Sequence, residues 1–124
     1  MRVMRPLRVG LVSTMSRAFH GDQAGQYSQS VEAMQALADR WQFELCPVRS
    51  GVFTVADGHT AIAELRDWHP DFVLVQVSGF GPGEFIHALA DLDFRTGIWA
   101  VPEGEPKVGG VPFLSLTGLT MYNK

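Results

Sequence analysis

Residues 72–83 read Phe-Val-Leu-Val-Gln-Val-Ser-Gly-Phe-Gly-Pro-Gly, a strand-forming run followed by a turn rich in backbone freedom. Phe72 to Val77 carries apolar side chains on both faces, as a strand covered by helices on its two sides requires. Ser78 to Gly83 ends that strand, and Pro82 suits the first turn of a helix, where its missing N–H is not needed. Phe85, Ile86, Leu89 and Leu92 supply the inner face of this helix. Gly97 to Val101 (GIWAV) is the strand that follows. Working back toward the start, Leu7 to Ser13 (LRVGLVS) is a second run that is apolar on both faces, and Thr14 to Gly25 is a polar, glycine-bearing loop. From about Ser28 the period changes, with Val31, Met34, Leu37, Ala38 and Trp41 at helical spacing. Phe43 to Val48 reads as a strand that Pro47 confines to an edge or a strand end. A second helix opens near Thr54 to Asp57, where a hydroxyl precedes a carboxylate by three residues, the pattern of a capping box. Ile62, Leu65 and Trp68 form its inner face, and Pro70 forbids its continuation. Strand and helix therefore alternate as βαβαβαβ. The fold class is α/β, a doubly wound parallel sheet of flavodoxin-like arrangement with strand order 2-1-3-4.

Composition narrows the function classes without selecting one. The chain has 124 residues, the length of one ordinary domain. Hydrophobic residues make up 46% and charged ones 19%, which excludes disorder as the main state. No uninterrupted apolar stretch reaches the ~18 residues that suggest a membrane span. Ten basic residues are scattered among thirteen acidic ones, giving no electrostatic footprint for nucleic acid. Met1 to Arg8 carries three arginines, but the apolar run behind them is too short for a signal peptide, so a cytoplasmic protein is expected. The single Cys46, expected to be a buried structural thiol, fits a reducing compartment.

The last stretch behaves differently. Pro102 to Pro112 (PEGEPKVGGVP) holds three prolines and three glycines in eleven residues and reads as an irregular linker. Phe113 to Met121 (FLSLTGLTM) is apolar again, and Phe113 to Leu116 is a candidate fifth strand. The expected organisation is therefore a flavodoxin-like domain over residues 1–101, with residues 102–124 leading toward a further domain. The alternative is that a neighbouring subunit covers the apolar segment.

In an open α/β sheet, ligands bind beyond the carboxyl ends of the strands where strand order reverses, here between strands one and three. The loop after strand one offers Ser13, Thr14, Ser16, Arg17, His20 and Asp22; the loop after strand three offers Ser78, Phe80 and Glu84. Arg17, His20, Asp22, Phe80 and Glu84 are the candidate binding residues. Each also has a plainer reading: a solvated arginine, a turn-forming Asp beside Gly21, a small aromatic anchor, a carboxylate favoured at a helix start. Sharper chemistries lack the motifs they would need. His20, His59, His69 and His87 show no metal-ligand spacing. A flavodoxin phosphate loop would need a glycine before Gly21, and a dinucleotide site would need GxGxxG after strand one. A phosphoacceptor receiver would want acidic residues after strand one and an Asp ending strand three. A hydrolase built on Ser13, His20 and Asp22 lacks a nucleophile elbow.

Strand four running into Trp99-Ala100-Val101-Pro102-Glu103, then a Gly/Pro-rich stretch, then Leu114-Ser115-Leu116-Thr117-Gly118-Leu119 resembles the N-terminal domain of the L-fucose/L-arabinose isomerase family. That family follows an aliphatic-Trp-aliphatic-Pro-Glu strand end with a Leu-Asn-Ser-Leu-Cys-Gly type segment entering the next domain. Here the Asn and Cys are missing. Val9-Gly10-Leu11-Val12-Ser13 and Gly79-Phe80-Gly81 are also similar. The resemblance implies a sugar ketol isomerase that uses a divalent metal, commonly manganese, held by Glu, Asp and His of later domains. No residues here correspond to those ligands, so no cofactor is expected in this chain itself. It also implies that Arg17 hydrogen-bonds sugar hydroxyls and that Phe80 packs on the apolar face of the sugar, in some members at a neighbouring subunit's site. The expected function is an N-terminal substrate-shaping and assembly domain, with no catalytic residues of its own and inactive alone. Its expected partners are a sugar or polyol and either further domains or copies of itself, without nucleic acid or membrane. The alternative is a free-standing flavodoxin-like module for small-ligand binding or oligomerisation.

Overall fold

The computed structural model describes residues 5–19, 21–79 and 81–101. In chain order its elements are β1 (Arg8–Thr14), α1 (Gln23–Trp41), β2 (Glu44–Pro47), α2 (Val55–Trp68), β3 (Phe72–Val77), α3 (Gly83–Ala90) and β4 (Arg95–Ala100). The four strands form one parallel sheet in the order β2-β1-β3-β4, as the alternating pattern predicts. β1 and β3 lie at the centre, paired from Val9↔Phe72 to Thr14↔Val77, which is why both read as apolar on two faces. β4 pairs with β3 from Phe72↔Arg95 to Val77↔Ala100. β2 is short, pairs with β1 alone and ends at Pro47, a position the sheet tolerates at an edge.

Alternation along the central strands divides the core in two. Val12, Val73 and Val75 face α2 and α3, where they join Ala61, Leu65, Phe85 and Leu89. On the opposite face Leu11 meets Met15, Tyr27 and Val31, with Met34, Leu74 and Trp99 packed around them. Leu11, Leu65 and Leu89 are fully buried, each worth about 2 kcal/mol in transfer free energy. α2 begins with the expected capping box: Thr54 Oγ1 accepts from the Asp57 N–H at 3.1 Å, and the Asp57 carboxylate accepts from the Thr54 N–H at 3.1 Å. α1 and α2 both end on left-handed residues, Gln42 at φ 60° and His69 at φ 59°. Pro70 follows His69 and prevents further winding.

Several expectations are corrected. α1 starts at Gln23 rather than near Ser28, because Asp22 caps it by accepting from the Gly25 N–H at 3.0 Å. The loop after β1 thus closes at Asp22. The buried stripe of α1 is Gln23, Tyr27, Ser30, Val31 and Ala38, whereas Leu37 (44% exposed) and Trp41 (66% exposed) point outward. β4 starts at Arg95, two residues earlier than its apolar run, since pairing with Phe72 extends it into polar sequence. Cys46 is half-buried in β2 rather than fully enclosed, an edge strand being covered on fewer sides; that burial still pushes its thiol up from the ordinary value. The linker 102–112, the candidate strand Phe113 to Leu116 and the remainder of the apolar segment lie outside the described residues. Among the described residues no helix is long and apolar enough to cross a membrane.

Candidate functional site

Three chain segments meet at the carboxyl end of the sheet: the end of β1, residues 51–53 after β2, and the turn after β3. Val52 continues the sheet beside β1, with Val52 N–H donating to Ser13 O at 2.9 Å and Met15 N–H donating to Val52 O at 3.0 Å. On the other side Gly79 N–H donates to Thr14 O at 3.0 Å, and Thr14 Oγ1 donates to Gly79 O at 3.0 Å. At Gly81 a Cβ would lie 2.6 Å from the Thr14 Cβ and 3.3 Å from Val52 O, so glycine is what lets the three segments touch. The crevice expected from topology is therefore bonded shut at its base among the described residues, with the Arg17 loop above it.

Beneath that floor runs a buried, uncharged chain of hydrogen bonds. Ser13 Oγ and Ser78 Oγ are 2.6 Å apart, Ser78 Oγ donates to Gln76 Oε1 at 2.9 Å, and Gln76 Nε2 donates to Ser30 Oγ at 2.6 Å. Ser30 Oγ in turn donates to Gln26 O at 3.1 Å. Ser13, Gln76 and Ser78 have no solvent exposure and Ser30 has 4%. Burial without partners would cost each group about 1–3 kcal/mol, so the set is retained as a whole. It also removes Ser13 as a nucleophile, because its hydroxyl is enclosed and bonded to Ser78. Tyr27 bonds the strands apart at the β1–β2 fork, its hydroxyl lying 3.0 Å from Leu11 O and 2.7 Å from Val48 O. Burial pushes that phenol far above its ordinary value.

Above the floor, the loop after β1 leans toward the start of α2. The Arg17 guanidinium stacks on the Phe53 ring at 4.1 Å from its centroid, a contact worth about 0.5–1 kcal/mol at an exposed position. Asp57 is held below the usual carboxylate value mainly by the N–H of Phe53, with further help from Thr54 and from the positive charge of Arg17. Arg17, Phe53 and Asp57 thus form one cluster, of which sequence reading singled out Arg17 for a binding role. A guanidinium held over a ring still carries N–H groups along its edge that can donate to paired oxygens. Asp22 is assigned to the cap of α1, and Glu84 is an exposed carboxylate on the first turn of α3. His20 and Phe80 lie outside the described residues.

Gln23, Gln76 and Phe53 were not legible as site residues. A signal existed for Gln76: an amide inside an otherwise apolar central strand must find a buried partner. Gln23 carried no such signal: its packing against Gly79, where a Cβ would meet the carboxamide, appears only once the chain is folded.

Among the described residues no three His, Cys, Asp or Glu side chains gather so as to hold a metal ion. Fold and site together define the chain as a flavodoxin-like α/β sheet whose strand-end loops are tied together. No family model, curated protein or solved structure matches the chain.

Proposed function

We propose that the chain is the N-terminal, substrate-shaping and assembly domain of an aldose–ketose isomerase of the fucose/arabinose type, with a sugar or polyol held at the carboxyl end of the sheet. The observation that carries this reading is the presentation of Arg17, stacked on Phe53, above loops that are tied to one another through Thr14 and Gly79. Such a surface offers the N–H donors of Arg17, which suit the hydroxyl oxygens of a polyol. In this reading Arg17 donates to sugar hydroxyls. Phe80, carried over from the family resemblance, covers the apolar face of the ring. The metal ligands and the proton-moving base belong, by the same resemblance, to later domains, so the chain by itself binds without isomerising.

The test is an amide-shift titration of the labelled chain with L-fucose, L-arabinose and their polyols, with glycerol as control. Shifts confined to Ser16, Arg17, Phe53 and Gly79, lost in Arg17→Ala, are expected. Absence of shifts at saturating sugar overturns the ligand, and manganese-dependent aldose–ketose conversion by this chain alone overturns the division of labour.

A further inference from the structure

Gln23 opens α1, yet its side chain is 6% exposed and turned back onto the loop that precedes it. Its Oε1 accepts from the Ser16 N–H at 2.7 Å, and its Nε2 donates to Ser16 O at 2.7 Å. The same Nε2 lies 3.4 Å from Phe19 O, a weaker contact. One carboxamide therefore satisfies both backbone groups of one residue, as a neighbouring strand would, at a point where the sheet has ended. Ser16 is adjacent to Arg17, so the pairing fixes the backbone from which the guanidinium projects. On its far side the carboxamide rests against Gly79 of the β3 turn, where any Cβ would overlap Oε1 and would stand 3.1 Å from the Ser16 nitrogen.

We infer that Gln23 is the positioning residue of the strand-end site: a two-point latch that holds the Arg17 loop at a set height against the β3 turn, with Gly79 as the matching recess. The assignment of a ligand to Arg17 rests on the reading proposed above; the latch itself needs no ligand. The chemistry suits an amide, because a carboxamide sets an acceptor oxygen beside a donor NH2, whereas the ionised carboxylate of the same length has no donor for the Ser16 carbonyl. Gln23→Met fills similar space and does neither. Gly79→Ala leaves the amide in place but pushes it off Ser16 from the other side.

The experiment is a double-mutant cycle on the full chain, read by amide exchange at Ser16 and Arg17, with Leu11 and Val75 as core references. Gln23→Met is expected to speed exchange at Ser16 by about tenfold while the core references remain strongly protected. Gly79→Ala is expected to do the same alone and to add little in the Gln23→Met background, since the two act through one contact. Each variant is also titrated with L-fucose below its own unfolding midpoint, the affinity falling by about tenfold while the core remains folded. Additive effects of the two substitutions, or unchanged Ser16 exchange in Gln23→Met, overturn the latch. If the cycle behaves as expected but the wild-type chain binds no sugar, the latch stands and the sugar reading falls. If the wild type binds L-fucose and Gln23→Met binds it equally, Gln23 does not position Arg17.

Discussion

At the carboxyl end of the sheet, Ser13, Ser30, Gln76 and Ser78 are joined by buried hydrogen bonds between neutral groups. At the amino end the same strands are tied by charge. Arg5 meets Asp71 through two contacts of 2.8 and 2.5 Å, and Asp71 also accepts from the Arg8 N–H at 2.8 Å. Arg8 pairs with Glu44 at 3.2 Å and lies over the Trp68 ring at 4.4 Å. Nearby, a cavity of about 230 Å³ is rimmed by Arg66, His69, Asp91 and Asp93 over Leu92 and Phe94. The difference teaches where this domain has latitude. Exposed ion pairs are screened by salt and contribute little, whereas a buried neutral chain is costly to break and indifferent to salt.

The sharpest way to break that contrast is Gln76→Ala. It takes one hydrogen-bond partner each from Ser78 and Ser30, which keep Ser13 and Gln26 O, and leaves a cavity, so a loss of about 2–4 kcal/mol is expected in urea unfolding, the same at low and high salt. A smaller effect belongs to Tyr27→Phe, which removes the hydroxyl from Leu11 O and Val48 O. About 1–2 kcal/mol is expected by the same measurement, again independent of salt. The weakest is Asp71→Asn at the amino end. Its destabilisation should vanish near 1 M salt, which Gln76→Ala cannot imitate. It should also depend on pH. The Arg5 hydrogen bonds, and then the Arg8 N–H, hold the Asp71 carboxyl below its ordinary value. Its contribution is therefore complete above the unfolded value near 4 and fades as pH falls through the lower folded value. The gap between wild type and Asp71→Asn should close in acid, as a pH series of unfolding midpoints would show.

Much of the frame was legible because it depends on patterns longer than a turn. Phe72 to Val77 and Leu7 to Ser13 could only be central strands, and their placement fixed the strand order through handedness. The first turn of α1 escaped because Gly25 weakens a helical reading and Asp22 resembles a loop residue until its cap is seen. Leu37 and Trp41 misled for a different reason. They share a helical period with the true inner stripe, and only the position of Tyr27 against β1 and β2 decides which flank turns inward. Topology pointed to the loops after β1 and β3 from strand order alone. The side chains that organise those loops were missed because a glutamine at an element's start or middle looks like a solvated residue. Its partners, Ser16 and Ser30, sit seven residues before Gln23 and forty-six before Gln76.

The Gln76 amide also guards against a particular misalignment of the chain. Val73, Val75 and Val77 are interchangeable by shape, so sliding β3 two residues along β1 would present the same valine face to α2 and α3. Hydrophobic burial alone distinguishes such a displaced sheet poorly from the native one. On the reverse face, however, Gln76 and Ser78 would move together, so the amide would leave Ser30 and the Ser78 hydroxyl would leave Ser13, breaking both links of the buried chain to other elements. One polar group in a repetitive strand thereby makes the near-copy of the fold the expensive one, as a key cut at a single position excludes neighbouring locks.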